Sequence, residues 1–89
     1  MKVNVIYTGL LSRITNLVEE EIEVKNSIVV HDLIEILLQK YGEPFEAILI
    51  DKSTNKLKIP IYINGKFKTG DIQLKDNDRV GFMFTVSGG

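Results

Sequence analysis

The residues of this chain best placed to do chemistry are its last two, Gly88 and Gly89. A terminal α-carboxyl titrates near pH ~3.5, so it is ionised at neutral pH. It is a poor electrophile until another enzyme activates it, which suits a carrier better than a catalyst. Glycines without Cβ let such an end thread a narrow channel and bring its main chain close to a partner's catalytic groups. Glycine is about 7% of average usage, so a terminal pair arises by chance in roughly 0.5% of chains. A frayed end with no role is the competing reading. Against it, the glycines follow a strong strand signal over residues 79–86 with no polar linker between. Extended, residues 85–89 reach roughly 17 Å beyond the body.

Side-chain chemistry offers less. His31 is the only histidine and adjoins Asp32, but consecutive helical residues point about 100° apart, which misplaces the carboxylate for orienting the ring. A solvent-facing histidine at a helix start is the reading favoured. One histidine and no cysteine leave no metal site by ligand type or spacing. The missing cysteine also removes disulfides, thiolate catalysis and a side-chain persulfide; any sulfur carried must sit elsewhere. Glu19, Glu20, Glu21 and Glu23 form either a docking patch for a basic surface or a solvated strand face, and alternation along a strand favours the latter. Phe82, Met83 and Phe84 are either all core or, where they point away from the helix, an apolar partner contact beside the tail. Both readings stay open.

These residues need a small body to position them. At 89 residues the chain is one domain that buries about 60–65% of its unfolded surface. With 44% apolar and 26% charged residues it is an ordinary folded domain. A net charge of −1 provides no electrostatic footprint for nucleic acid. No apolar run approaches the ~18 residues of a membrane span, and the first residues lack a signal peptide's apolar stretch. Neither nucleic acid nor membrane is expected as a partner, and a cytoplasmic location is.

In chain order, residues 2–8 read as a strand with Val3, Val5 and Tyr7 on one face, ended by Gly9. A loop through Ser12, Thr15 and Asn16 leads to a second strand over residues 17–25, with Val18, Ile22 and Val24 inward. Glu20 breaks that alternation by falling inward, which suggests a position near a strand end or bulge. Val30, Leu33, Ile34, Leu37, Leu38 and Tyr41 make one stripe of a helix of about twelve residues. Gly42 caps it, Pro44 keeps it from resuming, and Asp32 meets the positive end of its dipole. Ala47-Ile48-Leu49-Ile50 reads as a short strand, residues 51–56 as a polar turn and residues 57–63 as a strand carrying Pro60 at an edge or bulge. Asn64-Gly65 is a hairpin turn. Residues 66–73 read as a short strand and a loop. Residues 74–79 are a tight turn in which Asn77 tolerates positive φ. A final central strand parallel to the first follows, linked to it through the helix by a right-handed crossover.

Taken together, these residues resemble a known family. Tyr7 closing the first strand, Val29-Val30-His31-Asp32-Leu33-Ile34 opening the helix, Ile61-Tyr62-Ile63-Asn64-Gly65, Leu74-Lys75-Asp76-Asn77-Asp78-Arg79-Val80 and the ending Val86-Ser87-Gly88-Gly89 resemble the β-grasp sulfur carriers. The likeness is closest to the small subunit of molybdopterin synthase (MoaD), and more distant to the thiamine sulfur carrier (ThiS) and ubiquitin-like modifiers. The chain departs from the family pattern at Val29, where a Thr or Ser cap is usual, at Asn77, where glycine is usual, and at Phe84-Thr85, where a proline-rich segment is usual. The resemblance implies an α+β, ubiquitin-like fold: a mixed sheet with one main helix across one face, residues 1–84 forming the β-grasp domain and residues 85–89 an extended tail.

It also implies a cycle run by partners. An adenylyltransferase of the ubiquitin-activating type would use ATP and magnesium to adenylate the Gly89 carboxylate. A sulfur donor would then convert that carboxylate to a thiocarboxylate. Ser87 and Gly88 would thread the active site of the large subunit of molybdopterin synthase, and the chain would supply a docking face, for which Phe82 and Phe84 are candidates only on the contact reading left open above. The chain itself would bind no cofactor or metal and would not be catalytic alone. The alternatives are a ubiquitin-like modifier joined through Gly89 to protein lysines, a thiamine-type carrier, and a plain β-grasp binding module with an idle tail.

Overall fold

Alternation in the first strand sets the layering. In β1 (Lys2–Tyr7), Val3, Val5 and Tyr7 are fully buried while Asn4 and Ile6 take the other face, the period-two pattern of a strand with one side on a core. β2 (Glu19–Glu23) runs antiparallel to β1, Val3 opposite Ile22 and Ile6 opposite Glu19. On the other side of β1, and parallel to it, lies β7 (Asp78–Phe82), with Val5 opposite Val80 and Tyr7 opposite Phe82. β5 (Ile61–Ile63) pairs antiparallel with β7, and β6 (Lys66–Lys68) pairs with β5. The sheet order is β2-β1-β7-β5-β6. This computed structural model describes residues 1–82.

The crossover between the parallel strands runs through α2 (Val30–Tyr41), whose Val30, Leu33, Ile34 and Leu37 are buried. They share one core with Val3, Val5, Ile61, Ile63, Val80 and Phe82. This is the expected β-grasp arrangement. Val29 has no side-chain oxygen with which to cap the helix. Its N–H donates instead to Asp32 Oδ2 at 3.2 Å, and the His31 N–H donates to Asp71 Oδ1 at 2.9 Å. Asp71, forty residues along the chain, thus satisfies a donor that a local Ser or Thr would normally take. The Asn64-Gly65 turn closes the β5–β6 hairpin with φ of 53° and 84°, and Asn77 sits at φ 68°, its N–H on the Lys2 carbonyl.

Several expectations give way to tertiary context. Residues 10–15 form α1 (Leu10–Thr15) rather than loop, with Leu11 and Thr15 buried. Six residues without a side-chain cap form no stable helix alone, so burial selects this one. Pro44 does not stop the helical path. Gly42, at φ 77° and ψ −155°, turns the chain through a region open essentially to glycine. Pro44 then enters the first turn of α3 (Glu43–Leu49), where a missing N–H costs nothing. Residues 47–49 are therefore the end of a helix that buries Phe45 and Leu49. Extended chain begins only in β3 (Ile50–Asp51), which pairs with β4 (Lys56–Leu57) in a separate ribbon. The expected single strand over 57–63 is broken at Pro60, and Val18, expected inward, is exposed.

Glu20 lies near a strand end, one residue inside the start of β2, and no bulge marks it. The β1–β2 register runs unbroken through Val5 opposite Glu20, and the carboxylate points inward with its side chain only 9% exposed. Three donors meet it: the hydroxyl of Tyr7 at 2.7 Å, the hydroxyl of Tyr41 and the ammonium of Lys40. The tyrosine rings pack edge to face with each other, and both contact Phe45. Burial pushes the Glu20 carboxyl up, but the hydrogen bonds from Lys40, Tyr41 and Tyr7 outweigh it and hold the group below its usual 4.5. Burial, together with the bond to Glu20, pushes the hydroxyls of Tyr7 and Tyr41 upward, so both stay protonated donors. One carboxylate thereby ties β2, β1 and the last turn of α2 together.

Two outcomes are expected. Asp71→Ala should lower stability by about 1 kcal/mol, the usual cost of a lost helix N-terminal cap, moving the urea midpoint without changing the slope. Because the Glu20 value is depressed by folding, its contribution is present in full above pH 4.5 and fades as pH falls through the folded-state value. Glu20→Gln should be about 2 kcal/mol less stable than wild type at pH 7, and urea titrations at pH ~3 should find that gap narrowed. An equal gap at both pH values would mean that shape, not charge, holds the cluster.

Candidate functional site at the root of the tail

Ser87, Gly88 and Gly89, and with them Phe84, lie outside the described residues; the structure fixes the strand from which they continue. Phe82 is the last described residue of β7 and is fully buried, opposite Tyr7 on one side and Ile61 on the other. It shares the inward face with Val80. Phe82 is therefore core, and its expected part in partner docking is withdrawn: a side chain with no exposed surface has nothing to present.

Both neighbours of β7 stop at this level. On the β1 side, Thr8 follows Tyr7, and Gly9 at φ 56° turns the chain into α1. On the β5 side, the residue next to Ile61 is Pro60, which has no N–H to give a ladder. Beside the Tyr7–Phe82 pairing, the Thr8 hydroxyl donates to the Phe82 carbonyl at 3.0 Å. Among the described residues, Tyr7 and Thr8 both tie Phe82 to the end of β1.

The sheet face away from α2 carries a depression of about 490 Å³ lined by Ile6, Thr8, Tyr62, Gly65, Arg79 and Gly81. Gly81 makes it, lying opposite Ile6 on one strand and Tyr62 on the other without a side chain to fill the space between. Tyr62 leans on Phe67 of β6, ring centroids 5.8 Å apart, and Phe67 is itself exposed. Toward β2 the face turns charged, with Arg79 on Glu19 and Lys2 on Glu21, each pair 3.5 Å apart. Exposed pairs of this kind add little stability, and Glu19 and Glu21 fit the solvated strand face. The glutamates are thus not one patch, since Glu20 belongs to the core side.

No reacting constellation stands beside the root. His31 is exposed at the start of α2, and its backbone, not its ring, meets Asp71. Among the described residues no group of three or more His, Cys, Asp or Glu could hold a metal ion, and no helix is long and apolar enough to cross a membrane. What the described residues offer beside Phe82 is an apolar, partly aromatic surface. Sequence reasoning missed that surface. The signal available was Gly81, a lone glycine inside a strand pattern, which marks close approach of another backbone or ligand. Nothing in the sequence marked the Thr8 hydroxyl.

The chain is similar over 91% of its length to a Pyrococcus furiosus protein provisionally assigned as molybdopterin converting factor, subunit 1, of which it covers 93%, with 32% identity and a TM-score of 0.74. It is similar over 99% of its length to small archaeal modifier protein 1 from Methanosarcina acetivorans, at 26% identity, 96% coverage of that chain and a TM-score of 0.77. SAMP1 from Haloferax volcanii shares the fold across the full length of both chains, at 17% identity and a TM-score of 0.79. No curated protein sequence matches it. The ThiS family model matches residues 5–89, a span that begins within β1, takes in the other strands of the sheet and runs to the final glycine, and the chain belongs to the ThiS family.

Proposed function

We propose that the chain is a sulfur carrier acting as the small, sulfur-donating subunit of molybdopterin synthase. The observation that carries this reading is that the family match runs through Gly89, so the tail belongs to what the family has in common. The 32% identity to the Pyrococcus furiosus protein supports the choice of pathway. The Gly89 carboxylate attacks the α-phosphorus of ATP on an adenylyltransferase of the ubiquitin-activating type, with magnesium on the phosphates and pyrophosphate leaving. Sulfur from a donor then displaces AMP and leaves a thiocarboxylate. In the large synthase subunit, Ser87 and Gly88 lie in the channel, the thiocarboxylate sulfur bonds to a carbon of a pterin precursor, and water then cleaves the acyl–sulfur bond, restoring the Gly89 carboxylate and leaving the sulfur on the pterin. The carrier supplies no acid, base or metal; it supplies a chain end on a fixed root, and the open-face depression beside that root suits a partner's apolar side chains.

A second reading is favoured by one observation, the 26% identity to a small archaeal modifier protein over nearly the whole chain. In it the same activated Gly89 passes to a protein lysine. Both readings need the free carboxylate, and they differ in the acceptor.

Intact-mass analysis of the protein from its own host should find a fraction in which one oxygen is exchanged for sulfur, localised to Gly89; Gly89 found only in isopeptide linkage would favour the modifier. Deleting Gly89, or replacing Gly88 with Trp, should leave the thermal midpoint within a degree or two, since the described core ends at Phe82. Adenylate formation should fall by about 100-fold or more, the cost of misplacing a reacting group. Normal adenylation of either variant would sink the carrier and modifier readings together.

A further inference from the structure

We propose that Leu10, Leu17 and Val18 form an apolar rim at the root of the tail that seats the mouth of the enzyme activating Gly89, a contact separate from the open-face depression. The inference rests on the carrier reading above and adds a surface to it.

Among the described residues five large apolar side chains are exposed: Leu10, Leu17, Val18, Leu57 and Phe67. Single exposed apolar residues need no explanation, but a concentration of them does. Three of these five fall in the short connection between β1 and β2, and Val18 is the most open of all at 71%. That connection lies at the end of the sheet where β7 delivers the tail. The Tyr7 N–H donates to the Val18 carbonyl at 2.8 Å, and Tyr7 lies opposite Phe82 on its other side. Val18 is therefore two strand spacings from Phe82, roughly 10 Å. Leu10 stands two residues past Thr8, whose hydroxyl holds the Phe82 carbonyl.

The rim is also held in place. Thr15, itself buried, accepts the Leu17 N–H and donates to the Leu17 carbonyl through one hydroxyl. Asn16, in the left-handed region at φ 63°, ends α1 with its N–H on the Ser12 carbonyl. Leu17 is thus fixed by hydrogen bonds on both sides of its own backbone while its side chain faces solvent. An apolar group displayed on ordered backbone loses little freedom when a partner covers it.

The length of the tail selects the occupant. Seven residues follow Phe82 in the sequence and span at most roughly 25 Å. An enzyme that grips the final carboxylate in an enclosed site must bring its own surface to within that distance of Phe82. The surface it then meets includes the Val18 side of the root as well as the depression side. The complementary partner surface is apolar where it meets the three side chains: the nearest carboxylates are already engaged, Glu19 with Arg79 and Glu20 with Lys40, and Arg13, exposed in the last turn of α1, is the charge that flanks them.

The test is steady-state adenylation of the full chain by the activating enzyme from the same host, with carrier concentration varied. The double variant Leu17→Asp/Val18→Asp should raise the KM for the carrier about tenfold or more and leave kcat near the wild-type value. Leu57→Asp, on the remote β3–β4 ribbon, should change neither. Leu17→Ser/Val18→Ser, gentler on folding, should move KM in the same direction, and the circular-dichroism melting curve of each variant should match wild type. An unchanged KM in the Asp double variant, with wild type adenylated normally, overturns the rim alone. A wild-type chain that is not adenylated at all overturns the carrier reading and this inference with it. Sedimentation provides the remaining arm: a wild-type dimer that the double variant converts to monomer would make the occupant a second copy of this chain and overturn the assignment to the enzyme.

Discussion

The parallel pairing of the first strand with the last described one is the constraint on which the rest of this structure hangs. A parallel pair cannot be closed by a hairpin, so the chain between β1 and β7 must leave the sheet, cross a face and return. α2 makes that crossing and buries its stripe against both strands. Because β1 and β5 flank β7 on either side, the strand that leads into the tail is the most interior of the sheet. A chain end carried on an edge strand would fray with that edge. Here Phe82 is locked between Tyr7 and Ile61, so the last described residue is a rigid anchor for the sequence that follows it.

The polar cluster around Glu20 serves the same anchoring from beneath. Tyr7 is at once the ladder partner of Phe82 and a donor to Glu20, so the last pair of the parallel ladder is coupled to α2 through Tyr41 and Lys40. Burying a carboxylate is costly unless it is paired and hydrogen-bonded. With three donors converging on it, and no buried side-chain polar atom left without a partner among the described residues, this one meets the condition. Its direction-specific bonds also fix the register of β2, a strand that contributes only Ile22 to the buried core. A one-residue slip there would turn Ile22 to solvent and leave the two hydroxyls without their acceptor.

What was legible in the sequence, and what was not, follows from how local each determinant is. β1 and α2 carry their period in their own residues, and the Asn64-Gly65 and Asn77 turns are set by side chains that tolerate positive φ. α1 and α3 have no such signature. Leu11 and Thr15 form a helical pair only because a pocket exists to bury them. The apolar run at residues 47–50 is equally compatible with strand and helix, and Phe45, together with the Gly42 turn, decides the matter. Pro44 misleads because the same missing N–H that ends one helix is tolerated at the start of the next. Glu20 was visible as an anomaly, and its partners were visible too: Tyr7 on the inward face of the first strand and Tyr41 on the inward stripe of the helix. Joining them needed the knowledge that β2 lies against β1 in unbroken register. Of the site, the tail was read from residue type alone. Phe82 stayed open between core and contact because alternation tells that a residue faces one side of a sheet, not which side the helix covers.

On the proposed carrier reading, a division of labour between body and tail explains why so ordinary a surface accompanies a reacting chain end. Specificity for a partner cannot reside in the glycines, which offer main chain and little else. It has to come from surface that the partner reads while the tail is threaded, and that surface must keep a fixed relation to the root. The Thr8 hydroxyl on the Phe82 carbonyl and the pairings of Phe82 with Tyr7 and Ile61 fix the described end of β7. On the proposed carrier reading, rigid contacts on either side of that point would convert binding energy into placement of the carboxylate, which is where proximity contributes most to a bimolecular reaction. A looser root would retain the affinity and lose the alignment.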